Sequence, residues 1–126
     1  MAQGVFDVLH PGHLYYLRES RKLGDKLIVV IARDSRLDRE LYFDESERRE
    51  LVASLEMVDQ ALLGSEGDIY STVEDVNPDV ITLGYDQGHS PGEVKEMAES
   101  ATGHEVRVER IGSEQDYSSS ELKNQG

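Results

Sequence analysis

Apolar and polar residues alternate along this chain with two different periods. Five short segments are predicted as β-strands, and residues 26–32 form the most apolar and β-branched of them. We predict these strands over residues 2–6, 26–32, 59–63, 79–84 and 104–111. Only three residues precede Gly4, so the first strand is expected to be short.

Longer segments between the strands carry apolar residues at helical spacing. The helices are predicted over residues 12–23, 45–55, 68–76 and 91–101. Asp44 and Asp68 are candidate N-cap residues, and Ser90 begins a predicted capping box with Pro91 at the first helical position. The last helix is expected to end near Gly103.

The regular alternation of strands and helices indicates how the chain folds. It predicts an α/β fold, with a single Rossmann-like, doubly wound parallel sheet and helices on both of its faces. Ligands of such sheets bind beyond the carboxyl ends of the strands. Residues 1–126 are expected to form one domain, in which residues 112–126 are a loosely structured tail that carries a Ser-rich motif.

The segment from Gly4 to His13 reads Gly-Val-Phe-Asp-Val-Leu-His-Pro-Gly-His and places two histidines where a strand leads into a helix. The first N–H groups of a helix lack internal partners, and the helix dipole favours an anion there. Pro11 suits the first helical position, and Gly12 leaves the backbone open to a phosphate. The segment therefore predicts a phosphate-binding site, the alternative being an ordinary turn with two exposed histidines.

The charge balance narrows the range of partners. The chain has 26 acidic and 13 basic residues and a net charge of −13, which disfavours nucleic acid and anionic membranes as partners. It indicates a host with concentrated cytoplasmic salt, with an acidic protein of an ordinary host as the alternative. Without cysteine, neither disulfides nor thiol catalysis are available. No apolar run approaches a membrane span and no signal pattern is present, so we expect a cytoplasmic protein.

The Gly4 to His13 segment resembles the signature of the cytidylyltransferase-like nucleotidyltransferases, which transfer a nucleoside monophosphate from an NTP to a phosphorylated acceptor. Further runs, at residues 22–25, 30–35, 58–59 and 83–87, resemble the archaeal FAD synthases. The resemblance implies that AMP passes from ATP to FMN, giving FAD and pyrophosphate, with Mg²⁺ or another divalent ion on the triphosphate. It also implies a homodimer.

Two alternatives remain open at this point. One is a cytidylyltransferase that acts on glycerol 3-phosphate or a similar alcohol phosphate, although the absence of tryptophan argues against it. The other is a nucleotide-binding protein without activity.

The expected chemistry assigns roles to the motif. An acceptor phosphate is already an anion, so its attack on the α-phosphorus needs positioning and charge neutralisation rather than a general base. His10 and His13 are therefore interpreted as catalytic stabilisers of the transition state. Gly4 is expected to allow close approach of the nucleotide. Asp7 either fixes the loop or approaches a metal-bound phosphate.

The resemblance also implies a set of nucleotide-binding residues. These are Val5, Phe6, His10, Pro11, Gly12, His13, Asp86, Tyr117, Ser118 and Ser119. Arg36 and Arg39 lie in a segment that resembles a phosphate lid, with surface ion pairs as the alternative. Arg107 or Arg110 is expected to supply the positive charge that accompanies the serines.

The negative charge leads to a prediction about stability in salt. We expect the melting temperature to rise by several degrees as KCl is raised from about 0.1 M to about 1 M, where the Debye length falls to about 3 Å and repulsion between carboxylates is screened. Thermal unfolding followed by circular dichroism measures this. A melting temperature that is constant or falls over the series would contradict the halophilic interpretation.

Overall fold

A computed structural model describes residues 1–9, 11–34, 41–65, 69–84 and 90–112. The strands are β1 (Ala2–Gly4), β2 (Ile28–Ile31), β3 (Gln60–Leu63), β4 (Val80–Leu83) and β5 (Arg107–Arg110). The helices are α1 (Pro11–Arg21), α2 (Glu45–Ala53), α3 (Ile69–Val76) and α4 (Pro91–Thr102). Each predicted element is present, and its ends differ from the prediction by no more than about three residues, within the usual scatter of such boundaries. The predicted Asp68 cap and the tail beyond Gly112 lie outside the described residues.

The strands form a parallel sheet, as predicted. β2 pairs in parallel with β1 and β3, and β4 pairs in parallel with β5. Met1 joins the two groups, because its ammonium donates to Val80 O (2.6 Å) and Thr82 N donates to Met1 O (2.9 Å). The resulting strand order is β3-β2-β1-β4-β5, with β1 at the centre.

Helices cover both faces of the sheet and enclose two apolar clusters. Neighbouring residues of β2 point to opposite faces, so Val29 belongs to one cluster and Val30 to the other. The first cluster contains Leu17 of α1 and the second contains Val73 of α3. The prediction of a doubly wound α/β sheet is thus confirmed.

Buried hydroxyl groups fix α1 against the central strands. Tyr16 Oη donates to Thr82 O (2.7 Å) and accepts from Gln3 N (3.2 Å). One turn further along α1, the hydroxyls of Ser20 and Thr82 are 2.7 Å apart. These bonds satisfy polar groups inside the core and set the position of α1 relative to β1 and β4.

The helix ends follow the predicted chemistry with one exception. Asp44 and Glu47 form a reciprocal capping box at the start of α2, and Gly103 ends α4 in the left-handed region (φ 78°). Ser90 precedes Pro91 at the start of α4, but its side chain makes no capping hydrogen bond, so the capping box predicted there is wrong. Among the described helices, none combines the length and apolar character needed to cross a membrane.

The Met1 ammonium makes stability depend on pH near neutrality. Burial lowers its pKa from 8.0 to about 6, while the negative charge of Asp79 acts in the opposite direction. Because the folded pKa is below the unfolded one, the folded state loses stability as the pH falls from 8 to 6. We expect the free energy of unfolding to drop by roughly 1–3 kcal/mol over this range.

Urea unfolding at several pH values measures this change. The same chain with an acetylated Met1 is the control, since it cannot be charged at that position. An equal pH slope in both chains would show that the ammonium is not responsible.

Candidate active site

The signature segment lies where β1 leads into α1. β1 ends at Gly4, and Pro11, Gly12 and His13 form the first turn of α1, as the sequence predicts. That turn contains no acidic residue, so no carboxylate within it neutralises the positive end of the helix dipole. His10 lies outside the described residues. The described part of the segment therefore presents a helix start suited to an anion, with His13 on it.

Phe6 has an unusual backbone conformation. Its φ of 53° lies in the left-handed region, which costs on the order of 1–3 kcal/mol for a residue of this size. This turn ends β1 at Gly4 rather than at Phe6, which is where the sequence predicts its end. The Phe6 ring is 3% exposed and meets the His13 ring edge to face, with centroids 5.2 Å apart and planes at 67°.

The position of the Phe6 ring also explains why residue 4 is a glycine. A Cβ at Gly4 would lie 2.8 Å from two atoms of that ring, which is closer than real contacts allow. The glycine therefore makes room for the Phe6 ring, whereas the sequence predicts that it makes room for the nucleotide.

Asp7 fixes a neighbouring loop. Its Oδ1 accepts hydrogen bonds from the backbone N–H groups of Tyr42 (2.9 Å) and Phe43 (3.0 Å). Of its two predicted roles, loop fixing is the one that the structure shows. These bonds hold the residues that precede α2 against the signature segment.

Arg48 of α2 is a fully buried cation that connects three parts of the site. Its guanidinium donates to Val5 O (2.7 Å), to Phe43 O (3.2 Å) and to Asp34 Oδ1 (2.6 Å). The bond from Arg48 is the main reason that the pKa of the Asp34 carboxyl lies below its usual value. The end of β1, the segment after β2 and the start of α2 thus share one guanidinium.

A second set of hydrogen bonds joins the segment after β2 to the start of α2 and to the residue that follows β3. Arg33 donates to Gly64 O (2.6 Å) and to a carboxylate oxygen of Glu45 (3.0 Å). The backbone N–H of Asp34 donates to Glu45 (3.0 Å), and the N–H of Glu45 donates back to Asp34 (3.1 Å). These bonds fix Arg33 and Asp34 relative to the start of α2.

A cavity of about 600 Å³ opens beside Gly4 and Val5, on the face of the sheet that α3 and α4 cover. We call it the α3–α4 cavity. Its apolar lining includes Val30, Ile69, Val73, Ile81 and Met97. Its polar lining includes Gln3, Arg33, Ser65 and Glu93. The cavity and the start of α1 both lie at the carboxyl end of β1, on either side of that strand.

Several predicted site residues lie outside the described ranges and stay predictions. These are His10, Arg36, Arg39, Asp86, Tyr117, Ser118 and Ser119. Of the two basic residues predicted to accompany the serines, Arg110 at the end of β5 donates to Gly84 O (2.9 Å), just past the end of β4. Arg107 instead pairs with Glu109 on the exposed surface. Arg110 is thus the one at the ligand edge of the sheet.

Comparison with known proteins identifies this arrangement. The profile of the family described as "Cytidylyltransferase-like" matches residues 1–125. The chain belongs to the cytidylyltransferase-like family. It is 51% identical to the FAD synthase of Picrophilus torridus over 114 residues, which is 88% of this chain and 81% of that protein. It is 53% identical to the FAD synthase of Aciduliprofundum boonei over 88% of this chain and 76% of that one.

A solved structure is also similar. It is the crystal structure of the lipopolysaccharide core biosynthesis protein from Thermoplasma volcanium, with a TM-score of 0.84 and 48% identity over 90% of this chain and 94% of that one. The cytidylyltransferase-like fold thus extends over the described sheet and helices.

Sequence reasoning missed Arg48, which is central to this cytidylyltransferase-like site. The available signal is its position on α2, four residues before Val52 and so on the face of the helix that Val52 buries. Arg49 beside it is exposed. An arginine on an apolar stripe predicts a buried cation that needs several acceptors.

Replacing Arg48 should destabilise the protein. Arg48→Met keeps similar bulk but leaves Val5 O, Phe43 O and Asp34 without their donor, so we expect the free energy of unfolding to fall by about 2–4 kcal/mol. Arg49→Met, on the exposed face of the same helix, should change it by less than about 0.5 kcal/mol. Urea unfolding of both variants measures the difference.

The acid dependence of the same variants provides a second measurement. The lowered pKa of Asp34 contributes stability at neutral pH, and that stability is lost as the pH falls through the folded pKa. This loss should be smaller in Arg48→Met. Equal stability of the two methionine variants would show that the guanidinium is not the connecting group.

Proposed function

We propose that this protein is an FMN adenylyltransferase, which transfers AMP from ATP to FMN and releases pyrophosphate as FAD forms. One observation carries the proposal: the helix start bearing His13 and an apolar cavity of about 600 Å³ lie at the same end of β1. The chain shares about half of its residues with FAD synthases over most of its length.

In this proposal the ATP phosphates lie at the start of α1. The N–H groups of the first turn and the His13 imidazole provide donors, and His10 provides another. A phosphate oxygen of FMN attacks the α-phosphorus, a P–O bond forms, and the bond to pyrophosphate breaks. Because the attacking oxygen is already anionic, these groups need only orient the reactants and stabilise the charge that grows in the transition state.

The α3–α4 cavity provides a place for the acceptor. An isoalloxazine ring is large, flat and mainly apolar, and a volume of about 600 Å³ is typical of small-molecule sites. Its phosphate would reach past Gly4 and Val5, which line the cavity, towards His13. Glycerol 3-phosphate has no comparable apolar surface to bury, so the apolar lining favours a flavin.

Other residues complete the proposed nucleotide site. The nucleotide phosphates would contact the backbone at Val5 and Phe6 and the helix start at Pro11 and Gly12. Asp86 would bind the ribose or the base, and the triphosphate would be held by Tyr117, Ser118 and Ser119. Arg36 and Arg39 would close over the phosphates as a lid, and the fixed positions of Asp34 and Phe43 on either side of residues 35–40 support this role.

A divalent ion is proposed to accompany the triphosphate. In the described ranges, no group of three or more His, Asp or Glu residues is placed to hold a metal ion. Asp7, the carboxylate of the signature segment, accepts hydrogen bonds from Tyr42 and Phe43. Mg²⁺ in such enzymes is held largely by substrate phosphates, so the residues present fit an ion that arrives with ATP and neutralises part of its charge.

Substrate choice tests the proposal. We expect ATP with FMN and Mg²⁺ to give FAD and pyrophosphate, and CTP with glycerol 3-phosphate to give little product. A site built to bond the adenine edge leaves buried polar groups unpaired when cytosine enters. Pyrophosphate release and FAD formation are measured for each pair of ATP, CTP or GTP with FMN or glycerol 3-phosphate.

Histidine variants test the assignment of the site in the same assay. His13→Ala should lower kcat by about 10²–10³-fold, the loss typical of one transition-state donor, with a smaller effect on ATP affinity. His104→Ala is the control, since His104 lies after α4 and contacts Asn77 and Glu105 O.

Two outcomes of the substrate test would contradict the proposed function. If CTP reacts with glycerol 3-phosphate faster than ATP reacts with FMN, the proposed nucleotide and acceptor are wrong. Nucleotide binding without pyrophosphate release from any pair would favour an inactive binding protein.

A further inference from the structure

Phe6 combines three features that are rarely found in one core residue. Its backbone is left-handed, its ring is almost completely buried, and that ring contacts a histidine of the site. A left-handed aromatic residue persists only where its surroundings impose the conformation, and such residues cluster at functional sites. The conformation of Phe6 therefore requires an explanation beyond filling space.

The residues on both sides of Phe6 are held in place. The carbonyl of Val5 accepts from the buried Arg48, and the carboxylate of Asp7 accepts from the N–H groups of residues 42–43. Both constraints come from the segment that leads into α2 and from α2 itself. They fix the chain immediately before and after Phe6, and the left-handed turn lies between them.

The turn directs the Phe6 ring to a defined place. The ring folds back over Gly4, where a Cβ would come within 2.8 Å of it, and it meets the His13 imidazole edge to face at 5.2 Å. Edge-to-face pairs of this kind restrict the orientation of both rings. An extended conformation at Phe6 would point the side chain elsewhere, because successive residues of a strand point to opposite faces.

We propose that Phe6 is a positioning residue for the His13 imidazole, and that the left-handed turn at Phe6 serves to bring its ring against that imidazole. The hydrogen bonds of Val5 and Asp7 contribute to this positioning, because they impose the left-handed turn at Phe6. The turnover measurements below rest on the proposed function, whereas the measurement on the resting protein does not.

Two substitutions remove the contact in different ways. Phe6→Leu removes the ring and keeps an apolar side chain. Gly4→Ala leaves Phe6 intact but adds a methyl group where the ring lies, so the ring must move aside. Gly24→Ala is the matched control, because its new methyl group would have Lys26 O as its nearest neighbour at 3.8 Å.

Turnover provides the first readout. We expect Phe6→Leu and Gly4→Ala each to lower kcat by about tenfold or more, as a displaced catalytic group does. The KM for ATP should stay within about threefold of the parent, because the helix start that binds phosphate is unchanged. Gly24→Ala should match the parent in both constants.

The imidazole resonances of the resting protein provide the second readout. The chain has four histidines, and the His13 signal is identified by its absence in His13→Ala. Loss of the neighbouring ring changes the His13 chemical shift by itself, so the readout is the orientation of the imidazole. NOEs between the His13 ring protons and the protons of α1 should change in Phe6→Leu and Gly4→Ala, whereas the NOEs of His104 should not. A structural role of Phe6 in the core alone would lower stability without the kcat effect.

These experiments test the positioning role of Phe6 separately from the proposed FMN adenylyltransferase activity. A kcat within about twofold of the parent in Phe6→Leu, or an unchanged set of NOEs between His13 and α1, overturns the positioning role. If Phe6→Leu does not fold, Gly4→Ala decides, because it keeps the Phe6 side chain and only displaces its ring. If the parent does not convert ATP and FMN, the proposed function fails, and the His13 NOEs of the resting protein still decide whether Phe6 positions His13.

Discussion

The buried guanidinium of Arg48 is the interaction on which the arrangement of the site depends. Removing a cation from water is unfavourable unless its donors find good acceptors, and Arg48 has three within 3.2 Å. Two are backbone carbonyls, so they hold the path of the chain rather than one side chain. Because the carbonyls belong to Val5 and Phe43, the end of β1 and the approach to α2 cannot move independently. The geometry around His13 follows from that restriction, since Phe6 lies between Val5 and the loop-fixing Asp7.

The layout of the fold could be predicted from the sequence because it depends on local patterns. Apolar runs of four to six residues, capping residues such as Asp44, and glycine at a helix end all act within a few positions of themselves. The ends of strands were predicted less well, for a reason that Phe6 illustrates. Its apolar side chain continues the strand pattern, but contacts with residues about 40 positions away turn its backbone into the left-handed region. Ser90 shows the same limit, since proline at the first helical position does not guarantee a side-chain cap.

The site residues likewise divide into those that a local sequence pattern predicts and those that depend on distant contacts. The placement of Pro11, Gly12 and His13 at a helix start could be predicted, because a glycine and a proline between two histidines is a local signal. The role of Gly4 could not, since it depends on where the ring of Phe6 goes, and neither could that of Arg48, whose partners come from three separate elements. Asp7 falls between these cases, because its importance is evident from the motif, whereas its loop-fixing role depends on where Tyr42 and Phe43 lie.

A chain with a net charge of −13 is an unusual partner for two anionic substrates, and the described site shows how the two fit together. At physiological ionic strength the Debye length is about 8 Å, so carboxylates on distant surfaces contribute little at the phosphates, and concentrated salt reduces their contribution further. Groups in direct contact are not screened in this way. The first turn of α1 has no acidic residue, and the carboxylates of Asp7 and Asp34 are engaged by backbone N–H groups or by Arg48. In the described part of the site, the N–H groups of the first turn and His13 are therefore the groups that favour an anion at the helix start. An acidic surface is compatible with such a site, because distant carboxylates are screened by salt whereas groups in direct contact are not.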